Sequence, residues 1–207
     1  HSNNETGVLF PIREVARICR ERGVLFHTDA IQSFGKLPVD VEALGVDLLS
    51  ISGHKICGPK GIGALYIRRG TKMLPLLTGG WQERSRRGGT ENVAGAVGLA
   101  RAAGLMREGL EETGGRMAEL RDRLESGLLA AIPEVRRNGH PTLRLPQTSS
   151  LAFPGTEAES LILALDLCGI GVSSGAACSL GSLEPSHVLM AMGLPHDRVQ
   201  GSVRFSL

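Results

Sequence analysis

The feature that most restricts how this chain can fold is an alternation, between residues 11 and 69, of strand-length apolar runs with helical patterns. From Pro11 the apolar residues Ile12, Val15, Ile18 and Cys19 recur at helical spacing. Proline suits a first helical turn because its missing N–H would be unpaired there anyway, so the spacing predicts a helix over 11–22. Gly23 stops it, and "VLFHT" (24–28) is a β-branched and aromatic run that ends at Asp29. A short helix near 40–44 leads to a second strand, "DLLSIS" (47–52), and "GALYIRR" (63–69) reads as a third. Such alternation argues for a layered α/β fold with a largely parallel sheet. The short gap between the last two strands implies one local antiparallel pair.

Beyond Glu91 the pattern stays helical to about Ala131, with a break expected at Thr113-Gly114-Gly115 and a buried stripe at Leu120, Leu124 and Leu128. "PEVRRNGHP" reads as a polar loop. A strand (149–153), a helix (157–167), a strand near 170–174, a helix from Pro185 and a final strand, "SVRFSL", follow. The expected organisation is a sheet-based lobe over 1–110 and a smaller α/β lobe over 111–207. No internal repeat or low-complexity tract is visible.

With 42% apolar and 21% charged residues in 207, the chain has the make-up of a folded protein. A net charge of +2, with arginines in scattered pairs that lack aromatic neighbours, gives no signal for direct nucleic-acid binding. No apolar run approaches the roughly 20 residues that span a bilayer, and a cytoplasmic location without membrane association is the expectation. The four cysteines, Cys19, Cys57, Cys168 and Cys178, form no C-x-x-C pair, so no metal site is indicated and free thiols are expected. Cys19 and Cys168 read as core and Cys57 as structural.

In parallel α/β sheets ligands gather beyond the carboxyl ends of strands. Asp29 with Gln32, and Ser52 with His54 and Lys55, stand at two such ends. A lysine partly desolvated there loses its proton more readily, because burial disfavours the charged form, and its amine can then condense with an aldehyde. Pyridoxal phosphate supplies an aldehyde, and its ring nitrogen draws electrons only while a carboxylate such as Asp29 keeps it protonated. The plainer readings are a surface lysine at 55, a helix cap at Asp29 and a structural histidine at 54. "GPKGIG" does not satisfy the phosphate-binding pattern G-x-x-x-x-G-K-[ST].

Six segments in order, "HSNNETG" (1–7), "HTDAIQSFGKLP" (27–38), "SGHKICGPKGIGALY" (52–66), "RRGGTEN" (86–92), "SSGAACSLGSLEPSHVL" (173–189) and "SVRFSL" (202–207), resemble cysteine desulfurases of the NifS/IscS type, within the class V aminotransferases. The resemblance implies the aspartate-aminotransferase-like fold type I of pyridoxal-phosphate enzymes. Residues 1–110 would then be part of the cofactor-binding large domain and 111–207 the small domain. The activity implied is conversion of L-cysteine to L-alanine, with sulfur left as a persulfide on an enzyme cysteine for iron–sulfur cluster assembly or RNA thiolation. Lys55 matches the lysine that binds the cofactor covalently and Asp29 the partner of its ring nitrogen. Gln32 and Asn4 match residues that bond its phenolic oxygen or the substrate, and Ser52 and His54 match phosphate ligands. Thr90 matches a residue that reaches the phosphate of the neighbouring subunit in a homodimer, and Arg204 the arginine that pairs with the substrate carboxylate. Cys178 matches the sulfur-accepting nucleophile. The small residues around it, Gly175, Ala176, Ala177, Ser179 and Gly181, imply few anchoring contacts and room to move.

The match also implies a sulfur-acceptor or iron–sulfur scaffold protein as partner. In the family, "NNETG" falls well inside the chain and a helix follows "RFSL". The sequence therefore reads as a fragment lacking an N-terminal third with a ring-stacking histidine and a glycine-rich phosphate loop, and the isolated chain is expected to bind cofactor weakly or not at all unless another chain provides the missing section. Trp81 stands where the family is rich in glycine. Selenocysteine lyase, another class V aminotransferase, or an inactive dimerisation or scaffold fragment are the competing readings.

Overall fold

The computed structural model describes residues 1–175 and 185–207. Its chain divides into two compact units, one formed by His1 and Pro11–Leu110, the other by Ser2–Phe10 and Glu111–Leu207. Ser2–Phe10, grouped above with residues 1–110, instead belongs to the second unit. The reason is backbone pairing: Val8 bridges Arg144, and the Leu145 and Leu9 amides donate to the carbonyls of Gly7 and Leu143.

In the first unit α1 (Ile12–Glu21) leads to β1 (His27–Asp29), α2 (Val41–Leu44) to β2 (Leu48–Ser52), and a 3-10 turn (Gly53–Ile56) to β3 (Gly63–Ile67). The sheet order is β1-β2-β3, with β1 and β2 parallel and β2 and β3 antiparallel. Strand β1 is shorter than its apolar run: pairing with β2 begins at His27, and Val24 and Leu25 stay 55% and 57% exposed. Asp40 starts α2 by accepting from the Glu42 and Ala43 amides at 2.8 and 3.1 Å, satisfying donors that a first turn leaves orphaned. The core gathers Ile12, Ala30, Leu44, Val46 and Leu49, each worth on the order of 1–3 kcal/mol by burial for the larger side chains. A second cluster sets Ile56 against Leu99 and Ala102 of α4 (Val93–Glu108). Along the chain between β3 and α4 comes α3 (Gln82–Ser85), in which Glu83 and Arg84 adopt left-handed backbone angles.

The helical stretch divides at Gly109 rather than at Thr113-Gly114-Gly115, which lie inside α5 (Leu110–Ala131). A helix interior accepts each glycine at a cost of about 1 kcal/mol. The expected leucine stripe is displaced as well, since Leu120 is 38% exposed while Arg121 and Glu125 are buried. These charges turn inward because they have partners there: Glu125 accepts from Arg144 Nη1 at 2.5 Å, from Ser149 Oγ at 2.7 Å and from Arg137. Their targets lie in and beside the second sheet, β4 (Arg136–Arg137), β5 (Thr148–Ala152) and β6 (Ser202–Ser206), ordered β4-β5-β6 and antiparallel throughout. The sheet content is therefore less parallel than the alternation suggested; among the described strands β1–β2 is the parallel pair. The region near 170–174 contributes a single bridge, Ser173 to Arg204, instead of a strand. Helices α6 (Ala158–Leu167), α7 (His187–Ala191) and α8 (His196–Gln200) complete this unit, α7 and α8 replacing the one helix expected from Pro185.

Among the described residues no helix is long and apolar enough to cross a membrane, and no group of three or more His, Cys, Asp or Glu could hold a metal ion.

Candidate active site

Parallel pairing carries β1 and β2 to the same edge of the first sheet, with Asp29 opposite Ser50 in register. Side chains alternate across a strand, so His27 and Asp29 share one face with Ser50 and Ser52. On that face His27 Nε2 and Ser50 Oγ share a hydrogen bond of 2.7 Å. Asp29 is exposed, and its Oδ1 accepts from the Ile31 amide at 2.7 Å. It therefore caps the turn beginning at Ala30, in line with the plainer reading, with its side chain still at the sheet edge. Gln32 follows in this turn, half-buried.

At the neighbouring strand end Ser52 Oγ and His54 Nδ1 share a hydrogen bond of 2.7 Å. The chain leaves the strand as a 3-10 turn because Gly53 permits it: a Cβ there would lie 2.8 Å from the Pro59 carbonyl oxygen and 2.9 Å from Ile62 Cγ2. Ile56 points into the core against α4, which leaves His54 and Lys55 outside. Lys55 is exposed rather than partly desolvated, since the turn carries it past the strand end while Gly53 and Ile56 take the buried positions. The first unit thus gathers a carboxylate, a hydroxyl–imidazole pair and an amine at one sheet edge. Thr90 is exposed in the irregular segment before Asn92, whose side chain caps α4 through the Gly95 amide at 2.9 Å.

In the second unit "NNETG" is a tight turn. Asn3 Oδ1 accepts from the Glu5 and Thr6 amides and the Thr6 hydroxyl at 2.9, 2.8 and 3.0 Å, and the Gly7 amide donates to the Asn3 carbonyl. Asn3 therefore builds the turn, and Asn4 is its exposed member. Arg204 on β6 donates from Nη1 to the Asn4 carbonyl at 2.8 Å, bringing those two residues together. Cys178 lies outside the described residues, as do Ala176, Ala177, Ser179 and Gly181. Cys168 is exposed and Cys19 half-buried, so neither is a core residue; each falls toward the end of a helix, beyond the buried face. Cys57 is exposed and left-handed, with φ of 59°.

Sequence reasoning passed over His27 and Glu5. Period-two spacing from Asp29 marks His27. Glu5 had no such signal, because its burial depends on residues far along the chain.

This arrangement defines an α/β protein with a polar cluster at the carboxyl edge of a sheet, and comparison with known proteins names its family. The aminotransferase class-V family model matches residues 1–207, and the chain belongs to that family. It is 54% identical over 207 residues to a cysteine desulfurase of Trichormus azollae, covering 100% of this chain and 52% of the relative. It is 50% identical over 206 residues to the cysteine desulfurase NifS of Azotobacter vinelandii, covering 100% of this chain and 51% of that one. The structure of a NifS-like protein from Rickettsia africae superposes with a TM-score of 0.90 at 36% identity, covering 100% of this chain and 54% of that one. The fold is that of the type I, class V aminotransferase-like enzymes. The chain spans about half the length of the curated relatives it matches.

Proposed function

We propose that the protein to which this chain belongs is a pyridoxal-phosphate-dependent cysteine desulfurase, which converts L-cysteine to L-alanine and retains the sulfur as a persulfide on Cys178. The observation that carries this reading is the grouping of Asp29, Ser52, His54 and Lys55 at the carboxyl edge of β1 and β2. The donor set fits the cofactor: a hydroxyl and an imidazole for its phosphate, an amine for its aldehyde, and a carboxylate for its ring nitrogen. When bound, pyridoxal phosphate supplies an electrophilic aldehyde carbon and a cationic ring that withdraws electrons from the substrate.

The chain's own residues do the rest. The Lys55 amine, on the exposed side of the turn, is free to engage the aldehyde. Asp29 holds a proton on the ring nitrogen; its capped Oδ1 fixes the carboxylate's direction. Ser52 and His54 hold the phosphate, with Gln32 assigned to the phenolic oxygen. Asn4 and Arg204 bind the substrate carboxylate, the guanidinium held by the Asn4 carbonyl. Cys178 attacks as thiolate, since a thiol with a pKa of about 8.5 is a poor nucleophile until deprotonated. The overall change balances as L-cysteine plus the Cys178 thiol giving L-alanine plus the Cys178 persulfide.

In the same reading the enzyme is a cytoplasmic homodimer in which Thr90 reaches the partner's phosphate and the persulfide passes to an acceptor or iron–sulfur scaffold protein. The exposure of Leu74, Leu76 and Trp81, at 91%, 95% and 88%, supports an association surface on this segment. The full-length protein, loaded with cofactor, is expected to release alanine from cysteine and to retain borohydride-fixed cofactor on the Lys55 peptide. Cys178→Ala is expected to keep the cofactor and lose the persulfide. A colourless wild-type protein without that adduct would refute the reading.

A further inference from the structure

Glu5 is 2% exposed, a carboxylate enclosed in the second unit. Burying such a group is costly unless it is hydrogen-bonded, so its surroundings must hold it in one place. Ser186 Oγ donates to Glu5 Oε2 at 2.5 Å while accepting from the Leu189 amide at 3.2 Å, which makes one hydroxyl both the cap of α7 and the anchor of Glu5. On another side Gly175 approaches so closely that a Cβ there would stand 2.8 Å from Oε2. Gly175 comes two residues after Ser173, which pairs with Arg204 through backbone bonds of 3.1 and 2.6 Å. Arg204 in turn donates to the carbonyl of Asn4, the residue beside Glu5.

These contacts form a closed circuit: the turn at Asn3–Thr6, the Glu5 carboxylate, the cap of α7, and the β6 position that carries Arg204. Asn3 holds the turn from within, and Glu5 ties it to the rest of the unit. We infer that Glu5 is a positioning residue that orients the Asn4 carbonyl, and through it the Arg204 guanidinium, toward the carboxylate of an amino-acid substrate. The inference rests on the reading of Arg204 and Asn4 given above. It assigns to Glu5 an effect on substrate binding beyond filling space, because an apolar side chain of the same volume would fill the site without accepting the Ser186 hydrogen bond that holds the turn.

The test uses the full-length, cofactor-loaded protein and three variants. Glu5→Gln keeps an acceptor for Ser186, Glu5→Met keeps volume without one, and Ser186→Ala removes the donor. Glu5→Met is expected to raise the KM for L-cysteine about tenfold, the size of one lost charge-assisted hydrogen bond, with kcat within about twofold. Glu5→Gln is expected to recover most of that loss, and Ser186→Ala to reproduce it. Amide hydrogen exchange is expected to quicken at residues 3–8 and at Arg204 in Glu5→Met and Ser186→Ala, and to stay unchanged at 48–52. A folded Glu5→Met with unchanged KM, or with kcat alone reduced, overturns the inference. If Glu5→Met does not fold, Ser186→Ala with normal KM and normal exchange overturns it. Should the wild type fail to turn over cysteine, the desulfurase reading falls, while the exchange comparison still decides whether Glu5 holds Asn4 and Arg204.

Discussion

Replacing Glu125 by leucine tests how the second unit is held together. The carboxylate is 2% exposed and receives Arg144 and Ser149 at 2.5 and 2.7 Å, and also Arg137. Breaking a buried ion pair from one side costs about 3–5 kcal/mol, because the surviving charge is left in a poorly solvated place. Two features point to the lower end. Asp122 stays 3.1 Å from Arg144 Nη2, and Arg137, with 29% side-chain exposure, can turn to water. Glu125→Leu is therefore expected to destabilise the unit by about 3 kcal/mol. Urea unfolding, with hydrogen exchange at the β5 amides as the local readout, measures the loss. The double change Glu125→Leu with Arg144→Met is expected to recover about 2 kcal/mol of it, since neither charge then remains unpaired. A double variant as unstable as the sum of the two single ones would refute the argument, and so would a Glu125→Leu loss under about 1 kcal/mol.

The same carboxyl sets an acid limit. Burial by itself pushes its pKa up, but hydrogen bonds from Arg144, Ser149 and Arg137 outweigh this and hold it below the ordinary 4.5. A lowered folded-state pKa means that the stabilisation is fully present above 4.5 and fades as pH falls through the folded value, so acid titration of β5 exchange should be shallower in Glu125→Leu. Gly53→Ala, with its Cβ 2.8 Å from the Pro59 oxygen, is expected to cost about 1–3 kcal/mol and to weaken cofactor retention, read by dialysis and absorbance. Asp40→Ala removes the α2 cap and is expected to lower stability by about 1 kcal/mol in thermal melts. Cys57→Gly relieves a left-handed backbone worth about 1–2 kcal/mol against about 0.5–1 of added chain entropy, so a small rise in melting temperature is expected.

Local chemistry makes much of this protein readable from its residues alone. The short helix near 40–44, the strands read from "DLLSIS" and "GALYIRR" and the final strand each depend on neighbours a few residues away, and each forms close to where its residues predict. The grouping of Asp29 with Ser52 needed one further inference, that consecutive strands in such a pattern pair in parallel.

Other outcomes depended on partners that are distant in the chain. Arg121 and Glu125 displaced the leucines as the buried face of α5 because Arg137, Arg144, Leu145 and Ser149 wait on the other side. The helix break fell at Gly109, since the glycines at 114 and 115 cost too little to stop a helix in progress. Ser2–Phe10 joined the second unit through bridges to residues more than a hundred positions away. Glu5 acquired its place in the same manner, from Ser186. Short-range order is encoded by propensity and spacing, whereas the inside of a fold is chosen by whichever distant groups satisfy a buried charge, and that choice exists only once the chain has closed on itself.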